Sequence, residues 1–168
     1  MNPLTQFRKL AILLLLIAPA LAFAGNVFAT PPTPGGLSAL QVARGLYDEI
    51  DLQAHDIRWH LKLKTKGDSD VYVTQNTFQP GAHSGWHTHP GPSLITVTSG
   101  QITAYDGDDP TCTPKRYRLG EGFVDPGEGH VHLLRNETDA PAETVAFQIL
   151  PKDATRRIDA PAPGNCPF

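Results

Sequence analysis

Residues 57–64, IRWHLKLK, alternate strictly, with Ile57, Trp59, Leu61 and Leu63 on one side and Arg58, His60, Lys62 and Lys64 on the other. Successive side chains of a β-strand point to opposite faces, so a period of two predicts a strand with one face buried. The rhythm returns along the chain. Further strands are predicted at 71–78, 94–99, 102–106, 116–119, 130–135 and 143–150, punctuated by Gly, Pro and Asp at short spacing. Gly100-Gln101, between two β-rich runs, reads as a tight hairpin turn. Residues 38–50 are ambiguous. Ser38 with Gln41 resembles a capping box while Gly45 interrupts the pattern, so a short helix and a first strand both fit. No long helical period and no internal repeat is present. Many short strands with turn signals argue for an all-β antiparallel sandwich or barrel.

The two ends stand apart from this pattern. Arg8 and Lys9 precede an apolar run at 10–18 that Pro19 ends, and Ala22-Phe23-Ala24 and Val27-Phe28-Ala29 have the small-residue spacing of a cleavage site. Residues 1–29 therefore read as a secretory signal, cut after Ala24 or Ala29. The run is too short for the roughly 20 residues a membrane span needs. The expected location is secreted or periplasmic, with no membrane attachment after cleavage. Residues 30–50 form a leader, opening on TPPTPGG, and a short N-terminal element. The main β domain occupies 51–155, and 156–168 form a tail.

The 168-residue chain has 14 Lys and Arg against 17 Asp and Glu, a net charge of -3. Signal removal takes Arg8 and Lys9 and no acid, leaving 12 against 17, or -5. An acidic domain without a Lys/Arg cluster is a poor nucleic-acid binder. Only two cysteines exist, Cys112 and Cys166, both in Pro-flanked loops of the exported part. In an oxidising compartment such a pair reads as a disulfide that ties the tail to a mid-chain loop; two free thiols are the alternative.

The chemistry concentrates in GAHSGWHTHPGP, residues 81–92, where three histidines fall within seven residues. Imidazole is the commonest metal-ligating side chain. On a strand the i, i+2 spacing of His87 and His89 points both rings to one face. Two ordered frames surround them. The first runs Gly81, five residues, His87-Thr88-His89, Ser93, Gly100; the second runs Gly120, five residues, Pro126, Gly129, His132, three residues, Asn136. No GxSxG, cysteine-nucleophile context or Gly-rich phosphate loop accompanies them.

These frames resemble the two motifs of the cupin superfamily, in particular its small single-domain, quercetin-dioxygenase-like members. The resemblance is close over 81–136 and extends through the strand pattern to about 57–151. It implies a double-stranded β-helix, a jelly-roll-like barrel. His87, His89 and His132 would converge inside it on a divalent transition metal, with Fe, Zn, Mn and Ni as the candidates. Asn136 and the motif glycines would be fold positions.

Two departures qualify the resemblance. Ser93 stands where the family places a glutamate ligand, and Gly100 fixes the register. Three neutral imidazoles would then carry the metal, its full positive charge favouring an anionic substrate at the open positions. An extra residue separates Pro126 from His132 and brings in His130 as a second candidate, though the spacing to Asn136 selects His132. His83 is either a loop histidine near the mouth, a fourth ligand in place of the glutamate, or a proton shuttle. Trp86 should point into packing, and Tyr105 and Gln148 could reach the cavity. His55 and His60 are expected at the surface, and Asp125, Glu121 and Glu128 as solvated turn residues. The resemblance implies a metal-dependent, dioxygenase-like oxidoreductase acting on a small anionic molecule. A non-catalytic small-ligand or metal-binding module, or a metal-dependent lyase or isomerase, are the alternatives. The chain would be a monomer or homodimer.

Overall fold

The computed structural model describes residues 29–168; the signal expected at 1–29 lies, apart from Ala29, outside the described residues. The described residues form β-strands and no helix, and so contain no helix long and apolar enough to cross a membrane. One sheet holds β1 (Leu37–Tyr47), β4 (Ser69–Phe78), β11 (Ala142–Pro151), β6 (Ser93–Ser99) and β9 (Gly122–Asp125), side by side in that order. A second holds β12 (Ile158–Asp159), β5 (His87–Thr88), β10 (His132–Arg135), β7 (Gln101–Asp106) and β8 (Lys115–Arg118). Every pairing is antiparallel. A separate hairpin joins β2 (Asp51–His55) to β3 (His60–Lys64).

The two five-stranded sheets face each other as a double-stranded β-helix, and the alternation in the sequence decides which side chains lie between them. In β6, Ser93, Ile95 and Val97 are buried while Leu94, Thr96 and Thr98 point out. In β11 the inward set is Ala142, Thr144, Ala146, Gln148 and Leu150. Phe78, Val97, Ile102, Ala104, Leu134 and Ala142 pack as the core between the sheets. A second cluster, Trp86, Tyr105, Leu133 and Ala160, lies on the opposite face of β10 and β7.

Three expectations are settled or changed. The ambiguous stretch at 38–50 is a strand: β1 pairs with β4 from Leu37↔Phe78 to Tyr47↔Ser69, with a bulge between Gln41 and Ala43. The Arg44 guanidinium fastens it, donating to both oxygens of the buried Asp70 at 2.8 and 2.7 Å. Gly100-Gln101 is not a hairpin turn. β6 already has β11 and β9 as neighbours, so the chain turns the corner into the other sheet at Gly100 (φ 68). Val97 and Ile102 thereby enter one core from opposite sheets. A Cβ at Gly100 would stand 2.9 Å from the Pro141 carbonyl oxygen, so the corner requires glycine. Finally, the alternating stretch at 57–64 is not buried by its own chain. Only His60–Lys64 are strand, paired with β2 alone, and Ile57 is 95% and Trp59 57% exposed.

The tail closes over the outside of the second sheet. Cys112 and Cys166 form a disulfide with a Cα–Cα distance of 5.2 Å, and both pack against the Trp86 cluster. Phe168 meets the Tyr105 ring edge-on, and Asn165 donates to the carbonyls of Asp106 and Asp109. β12 completes the closure by pairing with β5. The cross-link spans 54 residues of sequence, for which chain-entropy arithmetic allows at most about 4 kcal/mol. Cys112→Ser with Cys166→Ser should therefore lower the free energy of unfolding in urea by up to about 4 kcal/mol. An unchanged midpoint would show that the tail is held by packing alone.

Candidate metal centre

Cross-strand register builds the site. His132, first residue of β10, pairs directly with His87, first residue of β5. Their rings lie 4.3 Å apart, and that of His89 is 5.0 Å from His87 and 5.6 Å from His132. All three are buried, and each offers a nitrogen within 4.8 Å of the others.

The chain fixes which nitrogen faces inward. His87 Nδ1 donates to the Gly85 carbonyl at 2.9 Å, and His89 Nδ1 to the Arg156 carbonyl at 2.6 Å. Nε2 is then the lone pair left for a metal, since a neutral imidazole offers one acceptor. Gln148 Nε2 also lies 3.3 Å from His89 Nδ1, but the shorter contact to a carbonyl acceptor decides the tautomer. Gly85 carries the first of these contacts because it sits at φ 69, and a Cβ there would fall 2.1 Å from the Thr30 carbonyl oxygen. His132 Nδ1 has no hydrogen-bond partner, but the buried Asp125 carboxylate stands 3.5 Å away. Metal–nitrogen bonds are about 2.0–2.1 Å long, and a cluster this tight accommodates one ion with little movement.

Burial keeps the cluster uncharged. Desolvation holds the His87 pKa well below its usual value, and the neighbouring His132 adds to the effect. It lowers that of His89 and pushes His132 down to about 4, against the opposing pull of Asp125. A metal would therefore meet three neutral ligands at neutral pH.

The other sequence candidates fall outside this cluster. His83 Nδ1 accepts from the Gly85 N–H at 3.0 Å, while the His83 backbone bonds to Thr33. That is the geometry of a loop histidine. His130 stacks 5.9 Å from His132 but turns toward carboxylates, with Asp125 at 3.3 Å and Asp106 at 3.7 Å. Ser93 lies in the cavity wall, where its hydroxyl accepts from Gln148 Nε2 at 2.9 Å, and Gln148 Oε1 accepts from Arg156. Ser93 is thus tied through the Gln148 amide to the Arg156 guanidinium. Tyr105 does not reach the cavity; its hydroxyl donates to Glu137 on the far face. Asp125 corrects an expectation: it is buried beside His132, not solvated, because its strand pairing with Ser93 turns it inward.

The histidines open into a cavity of about 200 Å³. Leu37, Phe78, Ile95, Leu134 and Ala146 give it apolar walls, and no Asp or Glu is among its lining residues. Two residues that sequence reasoning missed, Arg156 and Arg157, also line it. Arg157 is anchored through Nε to Asp159 and through NH2 to the Ser84 carbonyl, both at 2.6 Å. The available signal was an Arg-Arg pair ten residues before a cysteine whose disulfide returns the tail to the barrel.

A double-stranded β-helix encloses a three-imidazole cluster whose nitrogens could hold a metal ion. Residues 75–147 match the family model of the cupin domain, so this part of the chain is a cupin domain. The fold likeness extends to solved structures at low identity. A Klebsiella pneumoniae protein with a double-stranded β-helix domain matches at 22% identity and TM-score 0.44, over 67% of this chain and 84% of its own. The Bordetella pertussis cupin domain bp2299 matches at 20% and 0.41, over 61% and 93%. The conserved protein SPY1581 of unknown function from Streptococcus pyogenes matches at 21% and 0.41, over 49% and 66%. No curated protein sequence matches the chain. Likenesses this distant transfer no activity.

The buried imidazoles set a pH dependence. An unfolded histidine titrates near 6.5, whereas folded His132 titrates near 4 and His87 also well below 6.5. Below pH 6.5 the unfolded chain therefore takes up protons that the folded chain refuses. Metal-free protein should lose stability as pH falls from about 6.5 toward 4, with no contribution from these groups above 6.5. Thermal melts of the chelator-treated protein across that window check this; a midpoint that does not fall would mean the rings are not buried neutral.

Proposed function

We propose that the chain is an exported, metal-dependent oxidoreductase of the dioxygenase type, acting on a small anionic molecule. The observation that carries this reading is one cavity lined by three neutral imidazoles and two arginines, with no carboxylate in its wall. His87, His89 and His132 would hold a divalent transition metal, among Fe, Zn, Mn and Ni, which supplies Lewis-acid or redox chemistry when bound.

The chain's own residues do the rest. Arg156 and Arg157 present positive charge to the cavity, and Arg157 is rigid because two of its donors are already engaged. A guanidinium fork matches the geometry of a carboxylate. The Ser93 hydroxyl, tied to Gln148, leaves the place of the expected glutamate neutral. An anionic ligand therefore meets no carboxylate among the lining residues, and apolar side chains form the rest of the wall. The Cys112–Cys166 disulfide supports export, since such bonds persist in oxidising compartments.

Protein recovered from its own exported compartment should carry about one transition metal per chain, and His87→Ala should reduce that to near zero. Oxygen uptake with a panel of small carboxylic acids tests the reaction class. Stoichiometric zinc with no oxygen uptake would reject the oxidoreductase reading in favour of a lyase, an isomerase or a binding module.

Arg157→Gln should weaken binding of small carboxylates such as acetate or oxalate to the metal-loaded protein. A lost charge-assisted hydrogen bond predicts about ten- to hundredfold, read by calorimetry. An unchanged affinity would remove Arg157 from ligand binding.

A further inference from the structure

The cavity changes character in one register step. On β6 the inward position moves from Ser93 to Ile95, and on β11 from Gln148 to Ala146, all four buried. Sheet pairing sets these at common levels, since Ser93 lies opposite Gln148 and Ile95 opposite Ala146. On the facing sheet β10 takes the same step, from His132 to Leu134. Two residues of strand cover about 7 Å, so the wall passes from polar to apolar within the length of a small molecule.

The polar end holds the positive charge. Arg156 is kept there by Gln148, and Arg157 by Asp159, the strand partner of His87. Burial lowers the Arg157 pKa although Asp159 opposes the shift, and a cation withdrawn from water gains from an anionic partner.

Beyond the step, the lining continues with Leu37 and Phe78, which pair across β1 and β4. Phe78 and Leu134 belong to the core between the sheets and Leu37 packs against it, so this end is walled by the core itself. Asn76 is the polar side chain in this part of the lining, and its amide nitrogen turns to Thr144 Oγ1 at 3.4 Å, within its own sheet.

We propose that the cavity selects a monocarboxylate with a short apolar tail, its carboxylate among the imidazoles and arginines and its tail along Leu134, Ile95 and Ala146 toward Phe78. The inference rests on the anion-binding reading above and adds to it the other half of the ligand. A second carboxylate on the far carbon would be buried against the core without a partner, which is costly, so diacids of the same length are rejected.

Calorimetry on the zinc-loaded protein, with zinc content measured on the same sample, tests this with straight-chain acids. Affinity should rise from acetate through butanoate to hexanoate by up to about fourfold per buried methylene, and at least tenfold over the series. The heat-capacity change of binding should become more negative in the same order. Adipate, with the six carbons of hexanoate and a second charge, should bind at least tenfold more weakly than hexanoate. Ile95→Thr, which keeps the size of the wall and makes it polar, should cut the hexanoate-to-acetate ratio at least threefold; circular dichroism checks its fold. Equal affinities for acetate and hexanoate would overturn the proposal alone, as would adipate binding as tightly as hexanoate or an unchanged ratio in folded Ile95→Thr. Failure of every acid to bind would overturn it together with the anion-binding reading. Absence of zinc would reject the metal centre and leave the series to be read on the arginines and the wall.

Discussion

The candidate site depends on one pairing, His87 opposite His132 across β5 and β10. β5 is two residues long and could not hold its place by its own ladder. Three other contacts hold it. Gly85 turns the chain through a left-handed conformation that only glycine fits beside Thr30. Ser84 Oγ accepts from Leu134 N–H, locking the approach to β10. On its other side β12 lies along β5, and Trp86 behind it anchors the tail. A site built on such a short strand is as rigid as what surrounds it, which gives the outer cluster and the disulfide a part in positioning the imidazoles.

The same tail supplies the positive charge of the cavity. Arg156 gives its carbonyl to His89 and its guanidinium to Gln148, while Arg157 grips Ser84 and Asp159. One segment thus sets the tautomer of one imidazole and the electrostatic character of the pocket. Ser93 adds no negative charge to the wall, and the buried carboxylate nearest the imidazoles is that of Asp125, 3.5 Å from His132.

The β2–β3 hairpin shows the same hydrophobic logic at a different scale. The pattern at 57–64 correctly describes a strand with two faces, but burial is a property of what the strand meets. Among the described residues it pairs only with β2, and Ile57, Trp59 and Leu61 on its apolar side stay exposed.

Local periodicity was enough, from sequence, to place most of the strands and the all-β class, because side-chain alternation is a property of neighbours along the chain. His87, His89 and His132 were singled out by the resemblance of the two motifs to the cupin pattern, not by periodicity. Sequence reasoning passed over β2, β5, β9 and β12, strands of two to five residues, too short for a period to stand out. It also took the corner at Gly100 for a hairpin, since a glycine turn looks alike whether the next strand pairs with the last or crosses to another sheet. Tertiary structure alone decided that Asp125 is buried, that Gln148 rather than a carboxylate meets Ser93, and that Arg156 and Arg157 reach the cavity. Those facts rest on contacts between residues tens of positions apart, made by sheet pairing and by a disulfide spanning 54 residues. Chemistry at the level of residue types is written along the chain; the charge and shape of the pocket exist only once distant segments are brought together.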